Sequence, residues 1–413
     1  MSQQWFSIPG ISDPLRVEFQ KSPVRYWPPE VMQRAPLPEN AFADRAVVLT
    51  GAGAVWMYAH AAAIAVSQGA RSVDAVRASR QGERADAGAF TVCLTLDPTG
   101  THGCLTIEMA DVERVAHGPV LEEIARQLHS PRAGNLREMC ITGLASVECY
   151  ARASAMAVRR GVAVIYCLTP PDGLIVVFDS AGKENRCGSV IEMPVWLAPM
   201  VDMRRAGRIV GIIGDPNCGK SVFSFALQLV CRQANLPSWR YDCDGRAPTA
   251  DWYLNLVRHD PQEAGDKRRQ IKVEWTSELE DAIARRLAKL RPMFDIIVAD
   301  LPGGDHSVSP PARIPPHREV IFLPIDVFVL VQRRDAPTET EWRRELRRLG
   351  LEDKLRLIIN SHRPGDAPAF AISRRGDGRW IGEATGLDRS AERARLVNAC
   401  RGPLMEFVRG IIA

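Results

Sequence analysis

Apolar residues in the second half of this chain come in short unbroken runs separated by segments of helical spacing. Arg208-Ile-Val-Gly-Ile-Ile213, Trp239–Tyr241, Asp295–Ala299, Val327–Gln332 and Leu355–Asn360 read as buried strands. Ser221–Cys231, Ser277–Lys289 and Glu339–Leu349 read as the helices between them. Strand alternating with helix predicts a parallel sheet with helices on both faces. Ligands of such a sheet sit at the carboxyl ends of its strands.

The first half carries a different pattern, and it occurs twice. Thr50 to Gly69 aligns without gaps to Thr142 to Gly161, with about half the positions identical. The match extends outward: Leu15-Arg-Val-Glu-Phe19 pairs with Leu105-Thr-Ile-Glu-Met109 as an opening strand. Thr91–Gly100 pairs with Ile175–Gly182 as a closing strand and turn. Each copy reads strand, strand, helix, strand, strand. A polar insertion near Arg77 to Gly88 reads as a loop of the first copy. The small residues of the alanine-rich helices suit close packing against a sheet or against each other, and two copies suggest pseudo-two-fold symmetry. The expected domains are residues 1–102, 103–200 and 206–413, the last following a basic linker, Met203–Arg208.

The chemistry concentrates after the first strand of the second half. Gly214-Asp-Pro-Asn-Cys-Gly-Lys-Ser221 is a complete G-x-x-x-x-G-K-S phosphate loop. Backbone N–H groups of such a loop wrap the phosphates, the lysine reaches the β- and γ-phosphates and the serine hydroxyl binds Mg²⁺. Gly214, Asn217, Gly219, Lys220, Ser221 and Val222 are therefore the expected ATP-binding residues. Asp300 ends an apolar strand where a carboxylate holds Mg²⁺ directly or through water, so Ser221 and Asp300 are the expected metal residues. Asp242 and Asp244 follow the second strand, and either could take a proton from an acceptor, position water, or form a turn with Gly245. Lys220, Asp300, Asp242 and Asp244 make up the candidate catalytic set. Asn360 ends the fifth strand, where it could face a base or cap the strand. Ser309–Pro316, rich in proline, reads as a mobile loop over the site. Asp215 stands where the Min-type ATPases carry an extra lysine, which argues against that subclass.

Composition narrows the setting. The chain has 413 residues, 46% of them hydrophobic, and a net charge of +4. That charge does not single out a nucleic-acid partner, and the arginines Arg343, Arg344, Arg347 and Arg348 read as a solvated helix face, so no duplex nucleic-acid binding is expected. Ten cysteines are scattered without zinc spacing, as reduced thiols would be. With no signal-like segment and no apolar run of about 20 residues, a cytoplasmic protein that crosses no membrane is expected.

Ala46-Val-Val-Leu-Thr-Gly-Ala-Gly-Ala-Val-Trp-Met-Tyr58 resembles the core of the Csx-three family, a small ferredoxin-like domain associated with type III CRISPR systems. There a strand, a Ser/Thr-Gly turn and a Pro/Val-Trp helix start recur in this order, and the second copy shares the pattern without the tryptophan. Longer members are similar in carrying a C-terminal P-loop domain. The resemblance there covers Asp244-Gly245 with Trp252, Asp300 with Gly303-Gly304, Trp342 before Leu349-Gly350, and Gly386-Leu387-Asp388-Arg389. It implies two ferredoxin-like α+β repeats ahead of the parallel-sheet domain, and binding of cyclic oligoadenylate, an antiviral second messenger. Thr50, Gly51, Gly53, Thr142, Gly143, Arg159 and Arg160 are the expected second-messenger residues. Members that cleave the ring carry histidines near the end of this helix. This chain has Ser67-Gln68 and Arg159-Arg160 there, and His60 lies too early, so poor or no cleavage is expected. Three functions remain open: an ATPase regulated by the messenger, a small-molecule or nucleotide kinase, and an ATP-switched assembly protein. A homo-oligomer is expected in each.

Overall fold

A computed structural model describes residues 4–10, 13–20, 22, 26–51, 53–76, 90–109, 117–181, 186–201, 207–234, 236–245, 257, 261–270, 273–362, 368–376, 378–388 and 393–412. The insertion Arg77–Gly88, the linker residues Met203–Ala206, Trp252 and Arg389 lie outside them. The chain divides into two compact units, Met1–Asp202 and Met203–Ala413.

The first unit holds two sheets. One has the order β1 (Phe6–Ser7), β2 (Leu15–Phe19), β3 (Ala46–Gly51), β4 (Ser72–Ala75). The other runs in sequence order from β5 (Phe90–Leu96) through β6 (His102–Met109), β7 (Glu138–Thr142), β8 (Val164–Thr169) and β9 (Gly173–Asp179) to β10 (Val190–Ile191). A short helix α1 (Val31–Arg34) precedes β3, α2 (Val55–Ser67) links β3 to β4, α3 (His117–Leu128) links β6 to β7, and α4 (Val147–Arg159) links β7 to β8. Strands β2, β3 and β4 pair in parallel, as do β6, β7 and β8.

Three sequence expectations change here. A ferredoxin-like unit splits its βαβ with an intervening strand. Here each crossover joins neighbouring strands, so neither sheet has that topology. The strand in Thr91–Gly100 does not close the first copy; β5 lies antiparallel to β6 and forms an edge of the second sheet. The opening strands correspond two residues away from the ungapped match, because Phe19 pairs with Gly51 while Ile107, one step beyond the Thr106–Thr142 pair, faces Gly143. A two-residue shift keeps every side chain on its own face, so the apolar pattern cannot reveal it.

The two copies share one core, and its centre is helical. Trp56 to Ala63 and Ala65 of α2 are all buried, as are Ala151, Ala153, Ala155 and Ala157 of α4. A helix apolar around its whole circumference must be covered on all sides. Methyl-sized side chains let α2 and α4 pack closely while α2 also touches β8 and β9 of the other copy. The corresponding turns before the helices are built alike. Gly51 (φ +102°) and Gly143 (φ +105°) pass so near the opening strand that a Cβ would lie 2.3 Å from Phe19 O or Ile107 O. Tyr58 and Tyr150 donate to the carbonyls of these same glycines at 2.9 and 2.8 Å. The cross-copy contacts also set direction. Arg159 donates to Arg71 O at the start of β4 (3.0 Å), and Arg152 pairs with Asp74 near its end (2.7 Å). Thus α4 runs antiparallel to β4, as the crossover helix α2 also does, and both helix N-termini lie at the same end of the pair.

His60 sits within this core, 4% exposed, with Nδ1 2.7 Å from Val177 O. Burial disfavours its cationic form and lowers its pKa to about 4, against a partial opposing effect from that carbonyl. Between about pH 6.5 and 4 the unfolded chain then binds a proton that the folded chain refuses, so stability falls as the pH falls through this window. The expected loss is about 3 kcal/mol. Urea unfolding of the first unit's core at stepped pH should show it, and His60→Gln should flatten the slope; an unchanged slope would mean that other groups set it.

The second unit is a seven-stranded sheet in the order β12 (Ser238–Asp242), β13 (Ile296–Asp300), β11 (Arg208–Ile213), β14 (Val327–Arg333), β15 (Leu355–Ser361), β17 (Trp380–Ala384), β16 (Phe370–Arg374). All neighbours are parallel except the β16–β17 edge. Strands β12, β13, β11, β14 and β15 carry the predicted apolar runs; the antiparallel pair at the other edge, β17 and β16, was not predicted. Helices α5 (Lys220–Gln233), α6 (Pro261–Gln270), α7 (Ser277–Lys289), α8 (Glu319–Phe322), α9 (Glu339–Arg348) and α10 (Arg393–Ile412) complete the described elements. Helix α5 packs on α10 and against β11, β12 and β13. This fixes its N-terminus at the carboxyl edge of the sheet. Among the described residues no helix is long and apolar enough to cross a membrane.

Candidate nucleotide site

The loop between β11 and α5 is shaped by its glycines. Gly214 (φ +142°) passes β14 so closely that a Cβ would lie 2.0 Å from Val331 O. Asn217 (φ +63°) and Gly219 (φ +100°) also take left-handed conformations, turning successive N–H groups toward one concavity. A Cβ on Gly219 would meet Leu387 at 2.8 Å, so the loop after β17 closes one side. The cavity at this edge measures about 580 Å³ and is lined by Asn217, Gly219, Lys220, Ser221 and Val222, with Asp300 opposite. The positive end of α5 faces it. Gly214 shapes the loop from behind and is not part of the lining.

Asp215 has a different task from the lysine of the Min-type loop. Its carboxylate accepts from Arg313 Nε and Nη2 (3.0 and 2.9 Å) and from Trp342 Nε1 (2.8 Å). Trp342 is fully buried on α9, so the front of the loop is fastened to the body of the unit. Arg313 belongs to the proline-rich stretch expected to be mobile. That stretch is pinned at its middle, at Ala312 by a backbone bridge to Asp305 and at Arg313 by this ion pair. Lys220 Nζ donates to Asp215 O at 3.2 Å. Cys218 is buried within the loop, and burial raises its thiol pKa, so it is not a reactive thiolate.

Asp300 reaches the cavity from the tip of β13, beside β11, and is paired with a cation that the sequence reading missed. Arg240, on the neighbouring β12, donates to Asp300 Oδ2 at 2.6 Å and through Nε to Ser224 Oγ at 2.7 Å. Ser224 in turn donates to Ser221 O. One buried guanidinium thus joins the acid to the helix that carries Ser221. A buried arginine between two aromatic residues of a strand, Trp239-Arg-Tyr241, was the available signal.

The two acids after β12 separate. Asp242 Oδ1 accepts the backbone N–H of Asp244 (2.9 Å), which is turn chemistry, and Asp242 is not part of the cavity lining. Asp244 is. Asn360 is held between Gln332 (2.9 Å) and Glu383 (2.8 Å), outside that lining. Arg343, Arg347 and Arg348 engage Glu339, Glu352, Glu345 and Glu319. Arg318, Trp275 and Asp388 line the cavity without having been predicted as site residues.

In the first unit Thr50, Gly51 and Gly53 lie before α2, and Thr142 and Gly143 lie before α4, at the shared N-terminal end. Thr142 Oγ1 donates to Leu168 O (3.2 Å). Arg159 and Arg160 end α4, about 20 Å along the helix from Gly143. The structure therefore does not join these arginines to the turns in one site.

No family profile matches the chain, and no curated protein does. Among solved structures it is similar to the septum site-determining protein MinD complexed with Mg-ADP from Pyrococcus horikoshii OT3, at 16% identity and a TM-score of 0.27, covering 38% of this chain and 70% of that one. It is also similar to the signal recognition particle 54 kDa protein from Aeropyrum pernix K1 in complex with GDP, at 19% identity and a TM-score of 0.29. That match covers 52% of this chain and 51% of the other, about half its length. Likenesses at these scores leave the site to be read from its own geometry.

Proposed function

We propose that the second unit binds Mg-ATP and transfers its γ-phosphate. The observation that carries this is the placing of Lys220, Ser221 and Asp300 on one cavity at the mouth of a strand–glycine loop–helix unit. Lys220 would neutralise the β- and γ-phosphates, and Ser221 and Asp300 would hold Mg²⁺, which supplies charge stabilisation at the transferring phosphoryl group. Phosphate release with ATP alone would mark an ATPase. Asp244, in the same cavity, favours a kinase-type reading as the second possibility, with transfer of labelled γ-phosphate to an acceptor as its mark.

For the first unit, the Csx-three resemblance supports a cyclic oligoadenylate sensor of a type III CRISPR system that influences the ATP-dependent unit. Two observations accord with this. The Thr-Gly turns lie at one end of a pseudo-symmetric helix pair, which suits a symmetric ring. Near that end, the buried Trp56 Nε1 and Thr169 Oγ1 have no hydrogen-bond partner among the described residues. Cleavage would need a base for the attacking 2′-hydroxyl. His60 is buried and tied to Val177 O, and arginine does not deprotonate in proteins. Calorimetry of the full chain with cyclic oligoadenylates should show binding of one ring size, and chromatography after long incubation should return the ring intact. No binding to any ring size would remove the sensor reading; rapid linear product would show that another group serves as base.

A further inference from the structure

The cavity does not end with the phosphate loop. Asp244 and Trp275 line it on the side of β12, which lies two strands from β11, about 10 Å along the sheet edge at ordinary strand spacing. Arg318 lines it there too. Its guanidinium carbon lies 4.0 Å from the centre of the Trp275 ring. That ring packs on Gly245, just past β12, where a Cβ would come within 2.8 Å of it. Arg318 Nε donates to Glu280 Oε1 on α7 at 3.1 Å. Both side chains of this pair are less than a tenth exposed.

This is a fixed guanidinium. Stacking sets its plane and Glu280 takes its Nε. Among the described residues no hydrogen bond occupies Nη1 or Nη2. Arginine held this way presents a planar pair of donors suited to a carboxylate or phosphate. Its stacking on Trp275, which packs on Gly245 past β12, sets it apart from Lys220 on the loop, the group proposed for the nucleotide. We propose that the cavity takes a second, anionic substrate beside Mg-ATP, and that Arg318 recognises its phosphate or carboxylate group. This rests on the nucleotide reading above and narrows it to a phosphotransferase whose acceptor is an anionic alcohol. In the transfer the acceptor hydroxyl oxygen bonds the γ-phosphorus and the bond from that phosphorus to the bridging oxygen breaks. ADP leaves with the electron pair, and the hydroxyl proton passes to Asp244.

Inorganic phosphate is a sufficient probe. The full chain is first titrated with a magnesium complex of a non-hydrolysable ATP analogue, which fills the γ-phosphate position, and then with phosphate, followed by phosphorus NMR line broadening. Phosphate is expected to bind the analogue-loaded protein. Arg318→Met combined with Glu280→Gln removes both buried charges together, so folding is retained, and is expected to weaken phosphate binding about 10-fold or more, the worth of a charged hydrogen bond. Arg318→Lys, which keeps charge but loses the fork, should weaken it less. Phosphate binding to the Mg-ADP complex but not to the analogue complex would place the anion at the γ-position and overturn the proposal. So would loss of analogue affinity, rather than phosphate affinity, in the double variant. Failure of the analogue itself to bind would instead refute the nucleotide reading, and this proposal with it.

Discussion

Lys220→Ala should lower Mg-ATP affinity by about 100-fold or more and abolish turnover. In the proposed site the ammonium would be the charged donor to two phosphates, and each charge-assisted bond contributes about 1.5–3 kcal/mol. The fold should tolerate the change. Lys220 begins α5, alanine is the best helix former, and among the described residues the one hydrogen bond its ammonium makes is to Asp215 O. The loop itself is shaped by Gly214, Gly219 and the Asp215–Arg313–Trp342 contacts, which remain. Calorimetric titration of a variant with unchanged circular dichroism checks this. Affinity and turnover equal to those of the parent chain would refute the phosphate-loop reading.

Asp300→Asn should have two separable effects. Turnover should fall about 100-fold or more through loss of a metal-holding charge. Stability should also fall, because the substitution removes a carboxylate that pairs with the buried guanidinium of Arg240. Adding Arg240→Met removes the buried guanidinium as well and should recover part of the stability, while turnover stays low. Thermal unfolding and a phosphate-release assay on the single and double variants separate the two. Recovery of turnover in the double variant would reduce Asp300 to a counter-ion of Arg240, and another acid would then hold the metal.

The second unit was legible in the sequence because each of its central strands is buried on both faces. Ile209–Ile213 and Ile296–Ala299 have no solvent side, so an unbroken apolar run marks them. The edge hairpin escaped notice because exposed residues such as Ala371, Ser373 and Glu383 dilute its pattern. The phosphate loop was visible because its left-handed positions require glycine at fixed spacing. Arg240 and Arg318 were not, since their roles arise from contacts with Asp300 and Trp275, 60 and 43 positions away in the chain, respectively.

In the first unit the repeat was plain and its topology was not. The Thr-Gly turns, the tyrosines that bond them and the alanine faces all recur, because the same packing problem is solved twice. Which sheet receives β5 depends on pairing with β6, and local pattern carries no information about partner choice. The shared direction of α2 and α4 likewise follows from Arg152–Asp74 and Arg159–Arg71, contacts between the copies. These contacts separate the arginines from the glycine turns and leave the turns as the expected end for a symmetric ligand.

The most direct test of the account is incubation of the full chain with γ-labelled ATP and Mg²⁺, alone and with a set of anionic alcohols, with products resolved by chromatography. The account predicts that label leaves ATP, as inorganic phosphate or on an anionic acceptor, only when Mg²⁺ and Lys220 are both present. ATP that binds saturably and is returned intact under every condition would contradict it.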